Sequence, residues 1–150
     1  MKILVVCLGN ICRSPTAHAV LRQKAQALGL NIEVDSAGTI AAHAGEQPDD
    51  RSMAAGEARG YDFSGIYSRK VRADDFVKFD LILAADKQNL RDLKAIAPAQ
   101  YQDKLALFLH YGEQKETEIP DPYYGGKGGF ELVIDLIEQA SDVILQKVAS

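Results

Sequence analysis

Residues 3 to 15 change character twice. The apolar run Ile3-Leu4-Val5-Val6 gives way to Cys7-Leu8-Gly9-Asn10-Ile11-Cys12-Arg13-Ser14, and Pro15 then opens a stretch with helical periodicity. A continuous apolar strand is one buried on both faces, as in parallel sheets covered by helices. Serine before proline reads as a helix start, with Ser14 at the N-cap and Pro15 in the first turn. Ala17, Val20, Leu21, Ala25 and Leu28 form an apolar stripe that Gly29 ends. Strand, turn and helix in this order commit the chain to a β-α-β plan, because a parallel partner strand is reached only by a crossover.

The alternation continues. Ile32–Val34 reads as a second strand, and Pro48–Arg59 as a helix started by Pro48-Asp49-Asp50 and stopped at Gly60. Phe79–Ala84 is a further buried strand, followed by a helix carrying Leu90, Leu93 and Ile96 that closes near Pro98. Lys104–Phe108 reads as a short strand. Phe130, Val133, Ile134, Ile137, Val143, Ile144 and Val148 are spaced as the apolar face of a long last helix. The prolines and glycines of residues 119–126 indicate a shaped surface loop instead. The expected fold is α/β: an open, mostly parallel sheet with helices on both faces and ligands beyond the carboxyl ends of its strands.

A chain of 150 residues falls in the range of one domain, expected to span 1–150, that needs neither disulfides nor a structural metal. Its 47% hydrophobic and 25% charged residues argue against disorder. A net charge of -4 supplies no global field for nucleic acid or an anionic membrane. The first apolar run is too short for a signal peptide or a membrane span, so a cytoplasmic location is expected. The histidines His18, His43 and His110 lack ligand spacing, no metal or cofactor is expected, and His18 reads as a helix-surface residue. Cys7 and Cys12 stand too close in sequence to staple distant parts of the chain, so chemistry is the better account of them.

The loop from Cys7 to Ser14 joins a buried strand to a helix N-terminus, where unpaired N–H groups and about half a positive charge make an anion site. Gly9 and Asn10 are residue types that tolerate positive φ, which lets successive N–H groups converge on one point. Such a cradle favours a thiolate, so Cys7 is a candidate nucleophile. Arg13 offers a planar fork that matches two phosphate oxygens. The Ser14 hydroxyl can cap the helix and also donate to the Cys7 sulfur. Against this, a cysteine ending a strand is commonly a small buried hydrophobe, and Cys-x5-Arg recurs by chance. Context decides for chemistry: the strand before, the Gly-Asn turn within, Ser-Pro after. The Walker ending and the G-x-G-x-x-G fingerprint of nucleotide loops are both absent.

Cys7-Leu8-Gly9-Asn10-Ile11-Cys12-Arg13-Ser14-Pro15 resembles the signature of the low-molecular-weight protein tyrosine phosphatases, bacterial members included. The resemblance extends to Asp35-Ser36-Ala37-Gly38-Thr39, to Asp86 with Asn89-Leu90-Arg91-Asp92-Leu93, and to Asp121-Pro122-Tyr123-Tyr124-Gly125. It implies a four-stranded parallel sheet and hydrolysis of phosphotyrosine through a phosphocysteine. Cys7 would be the nucleophile, Arg13 the phosphate clamp and Asp121 the general acid and base. Leu8, Gly9, Asn10, Ile11, Cys12 and Ser14 would bind phosphate, Ser36 and Asp86 would support them, and Tyr123 and Tyr124 would wall the cleft. Asn10 and Ser36 resemble a pair that holds the loop in shape. The implied partners are tyrosine-phosphorylated proteins, a bacterial tyrosine kinase among the candidates. Two departures stand out: Ile66 where the family usually has a histidine that steadies the loop asparagine, and Ala42 where many relatives have an aromatic residue, implying a cleft wider on one side.

Three rival readings each meet an obstacle in the sequence. Thioredoxin-coupled arsenate reductase needs further cysteines downstream, and none follows Cys12. A phosphoprotein-binding module without catalysis predicts loss of Cys7 or Asp121, yet both are present. Protein arginine phosphatase is a closer alternative, but it carries a threonine where Ile11 stands, and isoleucine would leave a guanidinium unpaired.

Overall fold

The computed structural model describes residues 1–122 and 128–149; Tyr123 and Tyr124, expected at the cleft wall, lie outside the described residues. Strand β1 spans Lys2–Cys7, and Ile3 to Cys7 are all buried. Helix α1 (Arg13–Ala27) follows and ends at Gly29, whose φ of 69° is one that an L residue with a Cβ seldom adopts. The stripe is as read except at Leu28, which is exposed beyond the helix end.

Strand β2 is longer and later than the expected Ile32–Val34: it runs Glu33–Gly38, with Ser36, Ala37 and Gly38 buried. Its register on β1 sets the difference, since Lys2 lies against Glu33 and Cys7 against Gly38. Helix α2 is Asp50–Glu57, with the Asp49 carboxylate accepting from the N–H groups of Arg51 and Ser52, so Pro48 lies outside it. The short helix α3 (Asp75–Lys78) leads into β3 (Leu81–Ala84), and α4 (Lys87–Ile96) is capped by Asp86. Leu93 is buried on α4 while Ile96 is exposed, so the apolar face is narrower than the spacing implied. A 3₁₀ turn at Ala99–Lys104 precedes β4 (Leu105–Leu107), α5 (Phe108–Tyr111) and the long α6 (Gly129–Ala149).

The strands form one all-parallel sheet in the order β2-β1-β3-β4. Alternation along β1 divides the core. Ile3, Val5 and Cys7 face a layer built with α1 and α6, while Leu4 and Val6 face Phe76, Phe79 and Leu93 from α3 and α4. The chain leaves β1 toward β2 on one side and returns to β3 on the other, so a crevice opens beyond the carboxyl ends of β1 and β3. The loop after Cys7 and the loop holding Asp86 meet there.

Candidate active site

The loop between β1 and α1 is shaped by bonds made to its outside. The Cys7 and Leu8 carbonyls accept from the N–H groups of Thr39 (3.0 Å) and Ile40 (3.1 Å), and the Ile11 carbonyl from that of Asp49 (2.8 Å). The Ser68 hydroxyl donates to the Gly9 carbonyl at 2.9 Å. A trans peptide places the next N–H opposite its carbonyl, so carbonyls held outward turn the following N–H groups inward. Asn10 sits at φ 56°, the left-handed region expected for the turn. Gly9 does not, and its lack of a side chain serves contact instead: a Cβ there would lie 3.1 Å from the His43 ring.

Those inward groups close a cavity of about 120 Å³ lined by Cys7, Leu8, Gly9, Ile11, Cys12 and Arg13. Ile40, His43 and Asp121 complete the wall. Ala42 is not on it, whereas His43, whose imidazole meets Glu46 at 2.6 Å, is. The N-terminus of α1 opens onto this space with no side-chain cap and no acidic residue in its first turn. An unsatisfied positive helix end beside inward N–H groups is an anion site.

The expected N-cap role of Ser14 is not observed. The helix begins two residues earlier, with Cys12 at the N-cap, and the Ser14 hydroxyl works inside the loop. Asn10 Nδ2 donates to Ser14 Oγ at 2.7 Å, and Ser14 Oγ lies 3.0 Å from Cys7 Sγ. With its oxygen accepting from Asn10, the hydroxyl has its own proton for the sulfur; the Ala37 carbonyl, at 3.4 Å, is a poorer acceptor position. Cys7 and Cys12 are both buried, and no disulfide joins them. Arg13 is buried as the first residue of α1, and its Nη1 donates to Asp86 Oδ2 at 2.8 Å and to the Ile119 carbonyl at 3.0 Å. Asp86 and Ile119 thereby hold one edge of the guanidinium, which sequence reasoning reached for Asp86 alone.

Asn10 and Ser36 do not pair with each other. Asn10 Oδ1 accepts from the N–H of Arg69 at 3.0 Å, and Ile66, where the resemblance implied a histidine, is packed in the core. The Arg69 guanidinium is in turn gripped by Asp75 (2.9 Å) and Asp35 (3.2 Å). Ser36 Oγ instead meets His18 Nδ1 at 2.9 Å. His18 is therefore no surface residue: it is 6% exposed, one turn into α1 beneath the loop. Burial pushes its imidazole down to about 4; Asp35 acts in the opposite sense, and Arg22 and Arg69 add to the lowering. Its spacing from the buried Ala17, Val20 and Leu21 marked that side of α1 as covered, but the polar side chain concealed it.

The family model for low molecular weight phosphotyrosine protein phosphatase matches residues 2–150. A Synechocystis relative named for the same family is 46% identical over 149 residues, covering 97% of this chain and 94% of the relative. A protein tyrosine phosphatase from Entamoeba histolytica, solved with Hepes in its active site, superposes with a TM-score of 0.94 at 44% identity, covering 99% of this chain and 97% of that one. An arginine phosphatase from Drosophila superposes with a TM-score of 0.92 at 34% identity, covering 100% and 99%. The fold and the loop define a phosphate-handling α/β protein. The chain belongs to the low molecular weight phosphotyrosine protein phosphatase family.

Proposed function

We propose that this protein hydrolyses phosphotyrosine in other proteins through a phosphocysteine intermediate. One observation carries the reading: Cys7, Arg13 and Asp121 line a single small cavity at the start of α1, with the Ser14 hydroxyl 3.0 Å from the Cys7 sulfur. The Cys7 thiolate attacks phosphorus, the bond to the tyrosine oxygen breaks, and the Asp121 carboxyl gives its proton to the departing phenolate. The edge of Arg13 not tied to Asp86 takes two equatorial oxygens, and the loop N–H groups take the charge that spreads over the transferring group. A water then gives its proton to Asp121 and attacks phosphorus; the sulfur leaves as a thiolate, held by Ser14, and inorganic phosphate departs.

Ile11 and Ile40 on the wall give a phenyl ring apolar surface, whereas a guanidinium would meet no hydroxyl from Ile11. This supports tyrosine over arginine as the phosphorylated residue. Purified protein in EDTA should release phosphate from phosphotyrosine peptides well above phosphoserine or phosphoarginine peptides. Cys7→Ser should abolish turnover while phosphate binding, read by calorimetry, persists. Phosphoarginine as the best substrate would replace the tyrosine reading, and turnover near wild type in Cys7→Ser would remove the nucleophile.

A further inference from the structure

Among the described residues, four carbonyls of the loop from Cys7 to Ile11 are held from outside, and the four ties differ in kind. Those on Cys7, Leu8 and Ile11 come from the backbone N–H groups of Thr39, Ile40 and Asp49, so they follow from the fold whatever the side chains. The tie on Gly9 comes from a side chain, the Ser68 hydroxyl at 2.9 Å. Ser68 is 4% exposed, and its backbone is engaged as well: its N–H donates to the Glu46 carbonyl and its carbonyl accepts from the Gly45 N–H, each at 2.8 Å. One residue therefore joins the anion loop to the turn that carries His43, whose ring packs against Gly9 on the cavity wall. The segment behind Ser68 is firmly held. The Arg69 carbonyl accepts from the Gly38 N–H and the Gly38 carbonyl from the Val71 N–H, both at 2.8 Å, which pairs residues 69–71 with the end of β2. Asp75 and Asp35 fix the Arg69 guanidinium in addition. From this support two neighbouring residues reach the Gly9-Asn10 step: Ser68 grips the Gly9 carbonyl, and the Arg69 N–H grips Asn10 Oδ1 at 3.0 Å.

We propose that Ser68 is a positioning residue for phosphoryl transfer, acting through the peptide between Gly9 and Asn10, an inference that rests on the phosphatase activity above. In a trans peptide the N–H lies opposite the carbonyl, so a Gly9 carbonyl pinned outward to Ser68 keeps the Asn10 N–H turned toward the anion site. Without the hydroxyl, Gly9 has no side chain to restrict its backbone, and that peptide is free to rotate and carry the donor away from the transferring group. A donor aimed in advance counts most in the transition state, because no reorganisation is then needed at the moment of reaction. Outright loss of such a donor costs about 10²–10³ in rate. Loss of its aim costs less here, because the Arg69 N–H still holds the Asn10 side chain, and through it the Ser14 hydroxyl at the Cys7 sulfur.

The test pairs Ser68→Ala, which removes one oxygen and adds no bulk, with Ser68→Thr, which keeps the hydroxyl. Each is assayed on an aryl phosphate, and for inhibition by inorganic phosphate and by vanadate, a five-coordinate mimic of the transferring phosphoryl group. Ser68→Ala should lower kcat/KM roughly five- to thirty-fold and weaken vanadate inhibition by a similar factor, with phosphate inhibition changed less than about three-fold. Ser68→Thr should regain most of both losses. Urea unfolding of each variant identifies a merely structural part, which would lower the midpoint and leave kcat and vanadate inhibition of the folded protein at the wild-type level. That result would overturn the assignment while leaving the reaction intact. So would a loss of kcat/KM that vanadate inhibition does not follow, or one that Ser68→Thr does not reduce. Absence of any aryl phosphate or phosphotyrosine hydrolysis by wild type would overturn both.

Discussion

A carboxyl that protonates a leaving oxygen matters only when that oxygen departs reluctantly, which gives Asp121 a signature apart from packing. It is half-buried on the rim of the cavity. Asp121→Asn should slow aryl phosphates with basic leaving groups on the order of 10²–10⁴-fold and those with acidic leaving groups far less, because general acid catalysis contributes about that much where it is needed. A plot of log kcat against leaving-group acidity should therefore steepen in the variant. Parallel plots for the two proteins would show that Asp121 shapes the loop and moves no proton. Ser14 and Asn10 act one bond further out, through the hydrogen bonds that aim a hydroxyl at the sulfur.

The loop keeps its shape because β2 and the segment after it come close enough to hold its carbonyls. Gly38, the last residue of β2, is where this approach is tightest: a Cβ there would stand 2.6 Å from the Leu8 carbonyl oxygen and 3.1 Å from both the Gly9 carbon and the Ile40 oxygen. All three are backbone atoms, so no rotamer change relieves the clash. Gly38→Ala should push the anion loop off β2, costing about 1–3 kcal/mol of stability by overpacking and a larger share of activity. Chemical denaturation alongside phosphate-binding calorimetry checks this: a variant that binds phosphate as wild type does would show that the loop holds itself. The strand continues four residues beyond Val34, where the sequence reading ended it, and the last two, Ala37 and Gly38, are small where the loop lies against them.

At the scale of the whole molecule, the buried His18 ties stability to pH. In the unfolded chain its imidazole titrates near its ordinary value of 6.5, and in the folded protein burial holds it to about 4. Between those values the unfolded state binds the extra proton and the folded state does not. The folded protein is therefore at full advantage above pH 6.5, loses stability as pH falls toward 4, and loses no more from this group below that. The integrated loss is about 3 kcal/mol. Urea unfolding at pH 7 and pH 4.5 should show His18→Gln losing less stability across that interval than wild type; equal losses would mean the imidazole is protonated in the fold without penalty. The imidazole meets Ser36 under the loop, so the same acid loss falls on the element beneath the site.

The sequence by itself determined what is local: a two-face-buried β1, the turn at Asn10, the helix behind Arg13, and the placing of a cysteine, an arginine and a serine within reach of one anion. These follow from residue type and short spacing, because strand, turn and helix are each decided by neighbours along the chain. Only the tertiary structure decided which distant partner each polar group takes. Asn10 turns to the Arg69 backbone, Ser36 to His18, and Arg13 to Asp86 across the crevice between β1 and β3. Sheet order and register bring those groups within hydrogen-bond range, and neither is encoded in periodicity. A polar residue such as His18, Ser36 or Asn89 reads alike in sequence whether water or protein surrounds it, and packing alone makes it buried and selects its partner.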